Sequence, residues 1–199
     1  MGEKETLASY DRTAPRYAEL QWATRLVRQM HEFERSLAGN RICDLGCGPG
    51  RDVEWQTERG HDVIGVDLSV GMLAEARRRV PAASLVVGDA TALPLATASV
   101  DGVWSCSVFV HLDRVETAEG LGEVARVLRP GGAFYLGLER GDAPEWRDDS
   151  DGGRRRFHFW QPDALATAVE AAGFGVTDQY VEQVDRFAFL TTHALKRPT

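Results

Sequence analysis

Residues 41–50, RICDLGCGPG, decide how the rest of the chain is organised. An apolar run ends in Asp44, and three glycines follow at alternate positions, Gly46, Gly48 and Gly50. This pattern predicts a strand that stops, turns sharply and opens a helix. Because glycine tolerates positive φ and has no Cβ, Gly46 and Gly48 would let backbone N–H groups approach a ligand at the positive end of that helix.

The next two apolar runs also end in acids, Asp67 and Asp89. Gly48 and Asp67 lie 19 positions apart, close to the offset at which an acid on the second strand binds the ribose hydroxyls of a nucleoside. Any one of these acids could be a helix cap. Three of them at the C-terminal ends of parallel strands, beside a glycine loop, favour the ligand-binding edge of an open α/β sheet.

Size and composition indicate one globular domain over residues 1–199, because 43% of the residues are hydrophobic and 27% are charged. The formal net charge of −7 disfavours a phosphate-binding surface, so we expect no nucleic-acid partner. No window approaches the roughly 20 apolar residues that cross a bilayer, so we expect no membrane association and a cytoplasmic location. The three cysteines lack metal-ligand spacing, and we expect no metal.

Two flanking segments complete the layout. Residues 1–38 should form a helical cap, broken at Pro15, with one apolar face. That face comprises Leu20, Ala23, Leu26, Val27, Met30 and Phe33. Residues 141–160 lack periodicity and predict a long loop on the acceptor side. The arginine runs at residues 77–79 and 154–156 are expected on solvated faces.

The ordered motifs YDRTAPRYAE, DLGCGPG, VIGVDLS, GDATALPL, VDGVWSCSVFVHL, LRPGG and AAGF cover nearly the whole chain. Together they resemble class I S-adenosylmethionine-dependent methyltransferases of the small-molecule branch. The resemblance implies an α/β, Rossmann-like fold with a seven-stranded sheet of order 3-2-1-4-5-7-6, the last strand antiparallel and helices on both faces. It also implies in-line methyl transfer to oxygen or nitrogen of a small-molecule acceptor, with S-adenosylhomocysteine as product. We expect a monomer or homodimer.

The same resemblance implies a set of cofactor-binding residues. They are Tyr10, Tyr17, Asp44, Gly46, Gly48, Asp67, Leu68, Met72, Asp89, Ala90 and Ser107. Asp44 would face the amino-acid end of the cofactor, Asp67 the ribose and Asp89 the adenine amino group. Tyr10 and Tyr17 would close over the cofactor, and Ser107 would lie beneath the sulfonium.

Three residues are candidates for catalysis: His111, His158 and Tyr17. His111 follows the fourth strand at the ligand edge, so it could serve as a general base toward a hydroxyl, although a positioning or structural role is equally open. His158 belongs to the predicted acceptor loop. Its neighbours Phe157, Phe159 and Trp160 could form an aromatic acceptor wall or anchor the loop.

Two alternatives remain open. In a nicotinamide-dependent oxidoreductase the third glycine follows the second by three places, but here Gly50 follows Gly48 by two, and Asp52 stands where a small residue belongs. The Asp44 carboxylate would also repel a pyrophosphate. The second alternative is a protein that binds S-adenosylmethionine without catalysis, since a fold does not determine a function.

Overall fold

The computed structural model describes residues 2–20, 26–184 and 187–198. The helices are α1 (Gly2–Glu19), α2 (Val27–Ser36), α3 (Arg51–Glu58), α4 (Val70–Arg79), α5 (Arg114–Val127) and α6 (Pro162–Ala171), with a 3₁₀ turn at Phe109–His111. The strands are β1 (Arg41–Leu45), β2 (Asp62–Asp67), β3 (Ser84–Val87), β4 (Val100–Cys106), β5 (Leu128–Glu139), β6 (Glu145–Asp148), β7 (Arg154–Phe157), β8 (Phe174–Val184) and β9 (Phe187–Lys196). Ala23 of the predicted apolar face lies outside the described residues.

Seven strands form one sheet in the order β3-β2-β1-β4-β5-β9-β8. The pairs from β3 to β5 are parallel, whereas β9 runs antiparallel to both β5 and β8. Because β6 and β7 form a separate hairpin, this order is the predicted 3-2-1-4-5-7-6 once the sheet strands alone are numbered. The fold prediction is confirmed.

Helices cover both faces of the sheet, because neighbouring residues in a strand point to opposite faces. One core cluster joins α5 and α6 to the sheet through Val103, Leu121, Val124, Phe134 and Leu165. A second joins α2 to the other face through Met30, Phe33, Ile42, Trp104 and Tyr135. The central strand β1 is buried from Ile42 to Leu45, as expected for a strand covered on both sides.

Two expectations about the flanking segments are wrong. Helix α1 continues through Pro15, because α4 and β7 hold the helix from two sides and offset the backbone hydrogen bond that proline removes. Residues 141–160 are not a structureless loop: β6 and β7 pair antiparallel, from Glu145 opposite Phe157 to Asp148 opposite Arg154. Residues 129–132 belong to β5, and the pairing of β5 with β4 shifts its register there.

Candidate functional site

The glycine loop begins directly after β1. Gly46, Gly48 and Gly50 all have positive φ, at +71°, +51° and +81°. A Cβ at Gly46 would lie 1.8 Å from a methyl carbon of Val108, whereas a Cβ at Gly48 would meet no atom within 4 Å. Gly46 therefore permits a close packing contact inside the protein. Gly48 leaves open space, and that space belongs to a cavity.

The carboxylate of Asp67, at the end of β2, lies against this loop. Its Oδ2 accepts a hydrogen bond of 2.8 Å from the amide of Gly48, and its Oδ1 accepts one of 2.8 Å from the amide of Ser69. Burial raises the pKa of Asp67 to about 6, although both hydrogen bonds oppose that shift. The two amides fix the carboxylate at the rim of the loop.

A cavity opens over the C-terminal edge of β1 to β4 and encloses about 910 Å³ of unfilled space, mouth included, a size that suits a small ligand. Every residue predicted to bind the cofactor lines it except Asp44. These lining residues are Tyr10, Tyr17, Gly46, Gly48, Asp67, Leu68, Met72, Asp89, Ala90 and Ser107. His111 lines the same cavity. Residues from α1, the glycine loop and four strand ends are thus brought together.

Asp44 lies beneath the cavity rather than in its wall. Its side chain is buried, and its Oδ2 has no hydrogen-bond partner among the described residues. Burial and the nearby negative charges of Asp52 and Asp67 raise the pKa of Asp44 well above its usual value. The indole N–H of Trp104 donates a hydrogen bond of 2.7 Å to Asp52, so this second, partly buried carboxylate has a partner.

His111 forms a defined pair with Tyr10. The Nδ1 atom of His111 lies 2.7 Å from the carbonyl oxygen of Arg156, which can only accept, so Nδ1 carries the hydrogen. Nε2 lies 2.7 Å from the hydroxyl of Tyr10. Burial lowers the pKa of His111 to about 4, so the ring is neutral near pH 7 and Tyr10 donates to Nε2. The rings meet edge to face.

A second cavity adjoins the first, and both are lined by Tyr10, Tyr17, Ser107 and His111. Gly46 and Gly48 also line both cavities. The other walls of the second cavity come from Leu20, Leu26, the start of α3, the β6–β7 hairpin and the ends of β5 and β9. Phe157 lines this cavity, but His158, Phe159 and Trp160 line neither. The charge of His158 contributes to the lowered pKa of His111, but His158 follows Phe157 directly, and consecutive side chains of an extended chain point to opposite sides.

A row of hydroxyls on α1 holds the hairpin, and the sequence reasoning missed it. Ser9 and Thr6 accept hydrogen bonds from the backbone amides of Arg154 and Arg156, at 2.8 and 3.1 Å. Thr13 continues the row and donates to Asp151. The spacing of these hydroxyls, three and four residues apart, places them on one helix face. That spacing is the signal that could have revealed the contact.

Arg155 was expected in a solvated run, and this is wrong. Only 1% of its surface is exposed. It donates to Asp149 at 2.7 Å, to both oxygens of Asp151 and to Thr13 at 2.8 Å, while its guanidinium carbon lies 4.0 Å from the centre of the Tyr10 ring. The other arginine run, residues 77–79, is exposed as predicted.

Two further anchors fix α1 over the first cavity, and neither was predicted. Asp11 accepts hydrogen bonds from the hydroxyl of Ser69 at 2.6 Å and from the amide of Gly71 at 3.0 Å, which ties α1 to the start of α4. Arg51 donates to the carbonyl oxygen of Tyr17 at 2.7 Å. These contacts hold Tyr10 and Tyr17 in the walls of both cavities.

Within residues 2–20, 26–184 and 187–198, no group of three or more His, Cys, Asp or Glu side chains is placed to hold a metal ion. None of the helices described there has the length and apolar character needed to span a bilayer.

Comparison with known proteins places the chain in a family. A sequence family described as "Methyltransferase domain" matches residues 43–136. A malonyl-[acyl-carrier protein] O-methyltransferase from Pseudescherichia vulneris is 30% identical over 179 residues, which cover 86% of this chain and 69% of that protein. The chain belongs to the S-adenosylmethionine-dependent methyltransferases.

Other members show how far the likeness reaches. A malonyl-[acyl-carrier protein] O-methyltransferase from Enterobacter lignolyticus is 38% identical to this methyltransferase over 144 residues, 70% of this chain. That match spans only 56% of the relative's own length. The crystal structure of a 1,6-didemethyltoxoflavin-N1-methyltransferase from Burkholderia thailandensis is 23% identical, with a TM-score of 0.75 over 98% of this chain and 87% of the other. At that identity the structural likeness concerns the fold.

Family membership also bears on the first alternative. The hypothesis of a nicotinamide-dependent oxidoreductase depended on the general similarity of glycine loops. Membership of the methyltransferase family accounts for that loop and for the full strand order.

Proposed function

We propose that this chain transfers the methyl group of S-adenosylmethionine to oxygen or nitrogen of a small-molecule acceptor. The observation that carries the proposal is the junction of the two cavities. The first contains the Asp67 carboxylate, the second extends from the glycine loop to the hairpin, and the two share the walls made by Tyr10, Tyr17, Ser107 and His111. A methyl donor in one cavity and an acceptor in the other would meet at this shared wall.

The residues of the first cavity fit the family's cofactor. A fixed carboxylate at Asp67 suits two ribose hydroxyls, because its oxygens can accept hydrogen bonds in addition to those from Gly48 and Ser69. Buried Met72 offers an apolar surface to a base. Asp44 lines neither cavity and its pKa is raised well above the usual value, so we assign it no direct contact with the cofactor.

When bound, S-adenosylmethionine supplies an electrophilic methyl group on a positively charged sulfur. The chain has to hold the acceptor in line with that group and keep water away, which can provide on the order of 7–11 kcal/mol of the barrier. Tyr10 and Tyr17 of α1, fixed by Asp11 and Arg51, would form the closed side of this site.

The proton of the acceptor has a route through Tyr10 to His111. The Tyr10 hydroxyl donates to Nε2 of His111 and keeps lone pairs that can accept a hydrogen bond from an incoming O–H or N–H. Because the pKa of His111 is about 4, the ring would accept the proton late in the methyl transfer, when the new bond to the methyl group has made the acceptor atom strongly acidic. Burial raises the pKa of Tyr17 to about 12, so we assign Tyr17 a positioning role.

Relatives support both accepting atoms. The Enterobacter relative is named an O-methyltransferase, whereas the Burkholderia protein is named an N1-methyltransferase and was crystallised with 1,6-didemethyltoxoflavin and S-adenosylhomocysteine. The absence of metal and nucleic acid, a cytoplasmic location and a monomeric or homodimeric state stay predictions.

Titration calorimetry with S-adenosylhomocysteine and NADH tests the proposal. We expect S-adenosylhomocysteine to bind with micromolar affinity and NADH not to bind. Binding of NADH alone would overturn the proposal. Turnover then separates the enzyme from a non-catalytic binding protein: formation of S-adenosylhomocysteine should depend on an acceptor. Tight cofactor binding without methylation of any acceptor in a broad panel would favour the non-catalytic alternative.

A further inference from the structure

Three arginines line the second cavity, and each of them donates hydrogen bonds to other groups of the protein. Arg147 donates to both oxygens of Glu139, at 2.7 and 2.9 Å, and to Glu145 at 3.0 Å. Arg155 is bound by Asp149 and Asp151. Arg51 is turned to the carbonyl oxygens of Tyr17 and Ala18. Arg147 and Arg155 are thus neutralised by carboxylates, whereas Arg51 bonds to uncharged carbonyl oxygens and lies at the start of α3, beside the glycine loop.

The carboxylates of the same lining outnumber these cations. They belong to Asp52, Glu139, Asp149 and Asp151. An anionic acceptor would therefore meet net negative charge, and the two hairpin arginines that could offset it are already paired with carboxylates. Each carboxylate also has a donor of its own, from Trp104, Arg147 or Arg155, so a cationic ligand finds no unpaired counter-ion either. A protonated amine would in addition lack the lone pair that attacks a methyl group. The charge pattern suits a neutral molecule.

Three phenylalanines line the second cavity, and Leu20, Leu26 and Val110 add aliphatic surface. Phe157 of β7 and Phe189 of β9 are buried, and Phe187 joins them at the start of β9. The guanidinium of Arg147 lies 4.5 Å from the centre of the Phe157 ring and 5.0 Å from that of Phe187, which holds both rings in place. Rings fixed on two separate strands favour a flat aromatic ligand.

A hydrogen-bond acceptor lies beside this aromatic wall, because the centre of the Phe157 ring is 4.9 Å from that of His111, the partner of Tyr10. The Tyr10 hydroxyl has given its hydrogen to His111 and can only accept from a ligand placed between the two cavities. The reacting atom of the ligand should therefore carry a hydrogen of its own.

We infer that the second cavity receives an uncharged, flat aromatic acceptor whose reacting atom carries a hydrogen, as in a phenol or a ring N–H. This inference rests on the proposed methyl transfer, because that proposal makes the second cavity the acceptor site. In this site Arg147 supports the aromatic wall. In a site for a free carboxylate, an arginine would instead bind the ligand.

Three naphthalenes with different charges test the inference. The protein is saturated with S-adenosylhomocysteine and titrated at pH 7.5 with 2-naphthol, 2-naphthoate and 2-naphthylmethylammonium, with ligand-observed NMR or calorimetry as readout. We expect 2-naphthol to bind at least tenfold more tightly than either charged compound. Equal or tighter binding of 2-naphthoate overturns the inference.

A double variant tests whether the pairing of Arg147 with carboxylates disfavours an anionic ligand. Glu139→Gln combined with Glu145→Gln releases Arg147, so the ratio of naphthoate to naphthol affinity should rise at least tenfold. Asp148→Asn is the matched control: this hairpin carboxylate is 88% exposed, lies outside the lining and should leave the ratio unchanged. An unchanged ratio in the double variant would contradict the role given to Arg147.

The outcomes separate this inference from the proposed function. If S-adenosylhomocysteine binds and no naphthalene does, the aromatic class is wrong while the methyl-donor site stands. If S-adenosylhomocysteine fails to bind, the proposed function falls and the inference falls with it.

Discussion

The hydroxyl of Tyr10 donates a 2.7 Å hydrogen bond to Nε2 of His111 across 101 positions of sequence. The carbonyl oxygen of Arg156 fixes the other ring nitrogen from the hairpin. Three separate elements therefore set one tautomer of one imidazole at the wall shared by the two cavities.

That arrangement predicts an imidazole that resists protonation. We expect His111 to stay neutral, with its hydrogen on Nδ1, from pH 8 down to about pH 5, because its pKa is lowered to about 4. Nitrogen-15 NMR of the imidazole reports both the tautomer and the titration. Tyr10→Phe should preserve the tautomer, since the Arg156 carbonyl remains. A midpoint near pH 6.5, or a hydrogen on Nε2, would contradict the assignment.

Cofactor affinity should depend on pH through Asp67. A carboxyl with a pKa of about 6 is protonated below that pH and charged above it, and ribose hydroxyls bind the charged form better. S-adenosylhomocysteine should therefore bind about tenfold more weakly at pH 5 than at pH 7.5. Asp67→Asn should weaken binding at pH 7.5 by roughly tenfold to hundredfold and remove most of this pH dependence. Asp62→Asn, at the exposed start of the same strand, is the calorimetric control.

Alanine substitutions at Gly46 and Gly48 should have different effects on stability and on cofactor binding. Gly46→Ala places a Cβ against Val108 at positive φ, so we expect a loss of about 3 kcal/mol or more in unfolding free energy. Gly48→Ala meets no protein atom; it should cost about 1–2 kcal/mol of backbone strain yet block cofactor binding.

Gly122→Ala in α5 supplies the comparison, because it also meets no atom and lacks positive φ. It should raise stability by about 0.5–1 kcal/mol and leave binding intact. Urea denaturation and calorimetry together measure all three variants. Normal cofactor affinity in Gly48→Ala would show that the ligand does not approach this backbone.

The buried ion pair of the hairpin should govern stability. Asp151→Ala leaves Arg155 short of a partner in a site where 1% of the arginine is exposed, so we expect a loss of about 3 kcal/mol in urea denaturation. Asp148→Ala, on the same hairpin but 88% exposed, should change stability by less than about 0.5 kcal/mol. Equal effects of the two substitutions would rule out the buried network as the hairpin's anchor.

The sheet and its ligand edge could be predicted because their signals are local. Apolar runs that end in Asp67 or precede Asp89 show where parallel strands stop, and the glycine loop shows which edge binds a ligand. Ser69 caps α4 by accepting a hydrogen bond from the amide of Met72, and a serine directly before a helical run is a local signal of the same kind.

The acceptor side could not be predicted, because its contacts join residues far apart in sequence. Thr6 and Arg156 are separated by 150 positions, and Ser9 and Arg154 by 145. Arg155 has aspartates close to it in sequence, which is a composition typical of a solvent-exposed loop. Its burial depends on the contact with α1, which is distant in sequence. Whether Phe157 or His158 faces the cavity depends on strand register, which composition does not determine.

The hydroxyl row of α1 has a consequence beyond positioning. The outward N–H groups of Arg154, Arg156 and His158 bond to Ser9, Thr6 and the carbonyl oxygen of Val110, and the outward carbonyl oxygen of Arg156 bonds to His111. A two-stranded ribbon normally has a free margin on which a strand from another molecule can add. Here the margin along β7 is closed by two hydroxyls, an imidazole and a backbone carbonyl of the same molecule, which protects that side of the hairpin from intermolecular β-pairing.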